Sequence, residues 1–165
     1  MKNFKLVKTV ILLFAVLAFS NCEENGAIQF VVKDSFPTPI AVLGLKGQSF
    51  YSKEGTADIS GLLDNRTAFV EANIESVLLK LENYDGTSII GSIKLTANEI
   101  VLLDEDVILT SLDSDPIAIP ENLGGILDAI NSGTLTISLE GSTEQPIEDD
   151  DFIIVITPMV TGTVE

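Results

Sequence analysis

Thr134 to Glu140 reads TLTISLE. Leu135, Ile137 and Leu139 fall on one side of an extended chain, and Thr134, Thr136, Ser138 and Glu140 on the other. Such alternation fits a strand with one buried and one wetted face. A helix, with its period of 3.6, would turn Ile137 away from Leu135 and Leu139. Similar short apolar runs recur along the chain between Gly, Pro, Asn and Asp clusters, and this spacing constrains the fold more than any other feature.

Ala27–Val32 is a first strand, broken by Pro37 and Pro39. Ile40–Leu45 and Gln48–Tyr51 form a hairpin turning at Lys46-Gly47, and Thr56–Ile59 is a further short strand. Over Asp64–Ser76 helical and strand spacings compete; a helical turn or loop is expected up to about Ile74, followed by a strand over Glu75–Asn83. Tyr84-Asp85-Gly86-Thr87 is a tight hairpin turn in which Asp-Gly supplies positive φ, with Ser88–Leu95 returning. Ile100–Leu103 and Val107–Thr110 flank Asp104-Glu105-Asp106 as another hairpin. Ser111–Asp115 is a loop and Ile117–Ile119 an edge strand ended by Pro120.

Leu123, Ile126, Leu127 and Ile130 make one apolar stripe at helical spacing, favoured at its start by Glu121 and ended by Gly133. Gly124 and Gly125 weaken that helix by about 1 kcal/mol each relative to Ala, so it has to dock on a sheet. Gly141–Asp151 is an acidic loop; Phe152–Thr157, apolar on both faces, is a central strand. Pro158 ends or bends it, and Met159–Val164 continues as an edge. The expected fold is therefore an all-β, antiparallel β-sandwich, immunoglobulin-like or jelly-roll-like, of about 7–9 strands with one short docked helix.

The amino-terminal stretch is of another kind. Lys2, Lys5 and Lys8 precede an apolar run, Val10–Phe19, about half the roughly 20 residues a membrane-spanning helix requires. Phe19-Ser20-Asn21-Cys22 follows, and resembles the lipobox of bacterial lipoproteins. In that family the cysteine thiol is lipidated, the leader is cut before it and the new amino terminus is acylated. Phe19 stands where Leu is usual and Asn21 where Gly or Ala is usual. Looser boxes of this kind belong to lipoproteins of the Bacteroidota, where acidic residues after the cysteine act as a surface-export signal; Glu23-Glu24 resembles one. The turn Asn83–Thr87 and the helix–strand–loop–strand ending from Leu123 to Val164, with Pro146 before the acidic run, are similar to a group of β-sandwich lipoproteins. That resemblance implies a fold and a surface address, with no reaction to carry over. The expected organisation is a signal peptide over 1–21, a lipidated tether over 22–26 and one domain over 27–165. The expected location is the outer membrane, exposed at the surface, with a periplasm-facing orientation as the alternative. An ordinary cleaved signal peptide with a chance cysteine at its end is the competing reading.

Composition narrows the chemistry. Residues 1–21 hold three of the nine basic residues and none of the 25 acidic ones, so the chain behind them carries −19. No nucleic-acid partner is expected, since phosphate binding needs clustered Lys and Arg. Several acyl chains hold a protein on a membrane where charge of this sign does not. Cys22 is the only cysteine and there is no histidine, which rules out Ser-His-Asp and Cys-His catalysis and the usual zinc sets. No catalytic residue and no cofactor are expected. Calcium is the one metal the side chains allow, with weak candidates at Asp104 and Asp106, at Asp113 and Asp115, and at Asp149 and Asp151; solvated turns are the simpler account. Glu148–Asp151 also places charge beside the aggregation-prone FIIVI segment. A glycan partner would use Tyr84 or Phe50-Tyr51 as a stacking platform, against the simpler account that Phe50 is core and Tyr84 covers its own hairpin. The functional expectation is a non-enzymatic, membrane-anchored surface lipoprotein with a structural, adhesion or accessory role; the alternative is a glycan- or calcium-binding module.

Overall fold

Asp151–Val164, which contains the β-branched run Ile153–Thr157, forms the strand around which one sheet is built. The computed structural model describes residues 30–63, 68–120 and 125–164. In chain order the strands are β1 (Phe30–Ser35), β2 (Thr38–Leu43), β3 (Phe50–Asp58), β4 (Phe69–Glu82), β5 (Ser88–Ala97), β6 (Ile100–Thr110), β7 (Ile117–Ala118), β8 (Thr134–Thr143) and β9 (Asp151–Val164). A 3-10 turn, Ser60–Leu63, follows β3, and a six-residue helix α1, Ile126–Asn131, precedes β8.

All ladders are antiparallel, and they nest. β1 and β2 pair with β9, β3 with β8, β4 with β7 and β5 with β6. Rolling this nested ribbon brings β9 against β4 and β8 against β5. One sheet then runs β1/β2–β9–β4–β7 and the other β3–β8–β5–β6. With β1 and β2 taken as one interrupted strand, this is the eight-stranded jelly roll, and the immunoglobulin order of strands is absent. Between the sheets lies one core, in which Val42, Ile74, Ile93, Leu95, Leu135, Ile137, Leu139, Ile154 and Ile156 are all sealed from solvent.

Alternation in β8 places its leucines and Ile137 inward, as the sequence requires. Helix α1 docks Ile126, Ala129 and Ile130 and leaves Leu127 half-buried; Gly125 (φ 88°) starts it and Gly133 (φ 78°) follows its end. Asn131 fastens it to β4, its side chain accepting from the Phe69 amide at 2.8 Å and donating to the Phe69 carbonyl at 3.0 Å. Glu121, Leu123 and Gly124, part of the expected helix, lie outside the described residues.

Several connections differ from the expected ones, and for one reason: in this topology most neighbours in sequence belong to opposite sheets. The turn at Lys46-Gly47 exists, with Gly47 at φ 80°, but it carries the chain from β2 in one sheet to β3 in the other. Likewise Asn83–Thr87 crosses between sheets, and its positive φ falls on Asn83 (56°) rather than on Asp85-Gly86. The two-residue hairpin is Asn98-Glu99, with φ of 46° and 71°, the pair of positive values a primed turn needs. β3 runs without a break through Thr56, and β4 begins at Phe69, so Phe69–Ile74 is strand where a helical turn or loop was expected. Pairing with β9 across the sheet overrides the local helical spacing.

Asp104-Glu105-Asp106 is no turn: β6 is continuous across it. Nor does Pro158 end β9. Ser35 pairs with Met159 and Thr38 with Ile156, so Thr157 and Pro158 lie opposite the break between β1 and β2. The residue that lacks a donor stands where that edge is open. Met159–Val164 is flanked by β1 and β4 and is central rather than an edge.

Candidate functional site

Loops gather at the two ends of the sandwich. One end holds Phe30, Phe69, Val164 and the turn at Asn98-Glu99; the other holds the connections 44–49, 83–87, 111–116 and 144–150. At this second end a cleft of about 250 Å³ opens between the 83–87 turn and the 144–150 loop. Its apolar floor is Tyr84, Ile89 and Ile147, with Ile90, Glu144, Pro146 and Glu148 at the rim.

The walls are fixed from the backbone up. The Glu144 amide donates to the Ile90 carbonyl at 2.9 Å, which starts the loop against β5. Ile147, buried, exchanges backbone bonds with the 44–49 connection: its amide donates to Gln48 and its carbonyl accepts from Gly47, both at 2.8 Å. The Asp149 carboxylate ties the two loops together, accepting from the Asp85 amide at 2.9 Å and from the Asp150 amide at 2.8 Å. The Asp85 bond, ahead of the other contributions, holds the Asp149 carboxyl below the usual carboxylate range. On the facing wall the Tyr84 ring meets Phe152 edge-on, with centroids 5.3 Å apart and planes at 69°. The ring also lies over Gly86, where a Cβ would run into it.

This geometry decides what Tyr84 is. Its ring packs against Phe152 and over the turn it begins, and is half-buried there. At the other aromatic pair the expectation is half reversed. Phe50 is exposed (59%), whereas Tyr51 is the buried member (2%), seated on Gly141 where no Cβ intervenes. Strand parity is the cause: β3 turns odd-numbered residues inward at this position. Burial pushes the Tyr51 phenol up to about 12.

The acidic candidates are dispersed. Asp104 and Asp106 lie on the outward face of β6, opposite Lys94 and Ser92 of β5. Asp113 and Asp115 flank Ser114, whose amide donates to the Leu79 carbonyl at 2.8 Å and whose hydroxyl accepts from the Leu79 amide at 3.0 Å. Asp149 is occupied with backbone amides, and Asp151 is the first residue of β9. Among the described residues no three His, Cys, Asp or Glu side chains converge to a cation-sized group. Cys22, Glu23 and Glu24 lie outside the described residues. Sequence reasoning missed the clamp made by Asp149, because its partner Asp85 is 64 residues away.

No protein-family model matches the chain, and no curated protein matches it. Solved structures do. A decameric BFDV capsid protein matches with 9% identity and a TM-score of 0.44, covering 82% of this chain and 99% of the other. A Turnip Yellow Mosaic Virus structure matches with 10% identity and a TM-score of 0.37, over 84% of this chain and 95% of that one. A Desmodium yellow mottle tymovirus structure matches with 11% identity and a TM-score of 0.33, over 84% and 90%. At these values the similarity is to a strand arrangement, and nothing about assembly or activity follows from it.

Proposed function

We propose that the protein is a lipid-anchored, non-enzymatic β-sandwich presented at the bacterial outer membrane, serving a structural, adhesion or accessory role. The observation that carries the reading is Cys22, placed directly behind a basic and then apolar leader and eight positions before β1 begins at Phe30. Eight residues reach at most about 28 Å when fully extended. Phe30 pairs with Val164, at the end of the sandwich opposite the cleft. β9, at 14 residues, spans about 45 Å between those ends. A lipid on Cys22 would attach at the end of the sandwich away from the cleft and the acidic loops. Replacing Cys22 with Ser is expected to abolish fatty-acid labelling and move the protein out of the membrane fraction; continued labelling refutes the anchor. Protease treatment of intact cells reads the orientation.

The cleft supports a second reading, a glycan- or calcium-binding module within a surface uptake or adhesion system. Its apolar floor and carboxylate rim suit a small ligand with an apolar body and hydroxyl or cationic edges. A blank glycan array, together with a melting temperature indifferent to calcium and to chelator, would remove it.

A further inference from the structure

Two four-stranded sheets leave four edges, and three of them are closed or short. β2 and β3 face each other at one side: Ile40 packs on Gly55, and the Lys53 ammonium donates to the Leu43 carbonyl at 3.4 Å. β1, on the same edge as β2, has six residues and stops at Phe36-Pro37. The β4 edge is taken up by β7 and by Ser114 on Leu79. The fourth edge is β6. Among the described residues it pairs with β5 alone, and from Leu103 to Thr110 it contains neither a proline nor a register shift. A strand in this state presents a row of unpaired amides and carbonyls, the template for adding another strand.

What this edge selects is written in its side chains. A groove of about 360 Å³ runs beside it toward Leu79 and Ile117, with the continuous segment 105–109 as its β6 wall. Glu105 lies opposite the fully buried Ile93, at a position whose neighbours Leu103 and Leu109 point into the core, yet it is exposed at the mouth of the groove. On the other face of β6, Asp104 and Asp106 are exposed and Ile108 is 62% exposed. Lys94 faces Asp104 across the ladder, whereas Glu105 and Asp106 face Ile93 and Ser92. The strand thus carries three successive exposed acids and then the apolar run Val107-Ile108-Leu109, of which Ile108 is exposed, Val107 half-buried and Leu109 buried.

Charge in the middle of an edge bars strands of like sign. A second copy of this chain, at −16, meets that barrier; a basic segment does not. We propose that the free edge of β6 binds an extended segment of a partner protein by strand addition. The segment carries β-branched apolar residues that lie against Val107–Leu109, followed by consecutive Lys or Arg against Asp104-Glu105-Asp106. The apolar-then-basic order follows from antiparallel pairing, the arrangement of every ladder in this molecule and the more stable one. The inference stands apart from the membrane anchor and from the cleft.

The probe is the labelled peptide Thr-Val-Ile-Val-Lys-Lys-Lys-Thr, titrated into residues 22–165 by fluorescence anisotropy. Saturable binding is expected, at least tenfold tighter than for the same peptide with Glu in place of Lys. N-methylation at alternate residues along its pairing edge is expected to weaken it at least tenfold, since that removes ladder donors and keeps every charge. D104K/E105K/D106K is expected to lose the basic peptide and gain the acidic one, whereas E54K/E140K, on β3 and β8 of the same sheet, keeps the original preference. Amide shifts in the unmodified protein are expected to centre on β6 and residues 114–117. The proposal is overturned if the N-methylated peptide binds equally well, if E54K/E140K abolishes binding as fully, if the shifts centre on 144–150, or if no peptide binds.

Discussion

Two acidic runs of similar composition, Asp104-Glu105-Asp106 and Glu148-Asp149-Asp150-Asp151, occupy opposite kinds of structure. The first is the middle of β6, where each residue is held in a ladder with β5 and the carboxylates are left to solvent. The second leads out of a loop into β9, and there one carboxylate does the holding: Asp149 binds the Asp85 amide and joins the two loops. In one case the backbone positions the acids, and in the other an acid positions the backbone. Composition does not separate the two. What separates them is whether a partner strand exists, and that partner lies outside the local sequence.

This contrast can be broken from the loop side first. Ile147 is the loop's buried side chain, so Ile147→Ala is expected to cost about 2–5 kcal/mol and to lower the melting temperature clearly. Adding a methyl group beneath the loop comes next. At Gly91 a Cβ would strike the Ser142 carbonyl and lie 2.8 Å from the Thr143 Cα, at the end of β8. Gly91→Ala is expected to cost about 1–3 kcal/mol by chemical denaturation.

Smaller still is Asp149→Asn. Its effect is expected as faster hydrogen exchange at the amides of Asp85 and Asp150, with pH as the control. The folded-state pKa of Asp149 is lowered, so its contribution is fully present above the ordinary carboxylate value of about 3.9 and fades as pH falls through the lowered one. The stability gap between wild type and Asp149→Asn should therefore be constant near neutrality and close in acid; a gap that widened in acid would contradict the clamp. The smallest change in stability belongs to β6. Neutralising its acids with D104N/E105Q/D106N is expected to leave the melting temperature unchanged, because these side chains are exposed. Self-association measured by sedimentation should rise, since the charge that guards the edge is gone.

Much of the fold is legible in the chain because its signals are local. The alternation in β8, the strand over Ser88–Leu95, the short Ile117–Ala118 pairing and the stop at Gly133 each depend on a few adjacent residues. The candidate site is less legible. Tyr84 and Pro146 stand out as turn residues, but the cleft exists only because their loops meet, through bonds such as Glu144 to Ile90. Phe50 and Tyr51 are adjacent aromatics, and only the register of β3 on β8 decides which is buried. The exchange of their roles is a single-residue matter of parity.

By itself the sequence determined the class of fold, the positions of most strands and the short list of chemistries open to a chain without histidine and with one cysteine. The pleat has a period of two and a side chain keeps its chemistry wherever it lies, so both can be read from neighbours alone. Only the tertiary structure decided that the sandwich is a jelly roll, that Asn98-Glu99 is its hairpin, that Pro158 is accommodated within a central strand and that an acidic triplet lies on an open edge. Each of these depends on which strand lies beside which. In a nested ribbon that partner is set by contacts across many tens of residues, and the free energy of those contacts outweighs the local preferences of turns and helices.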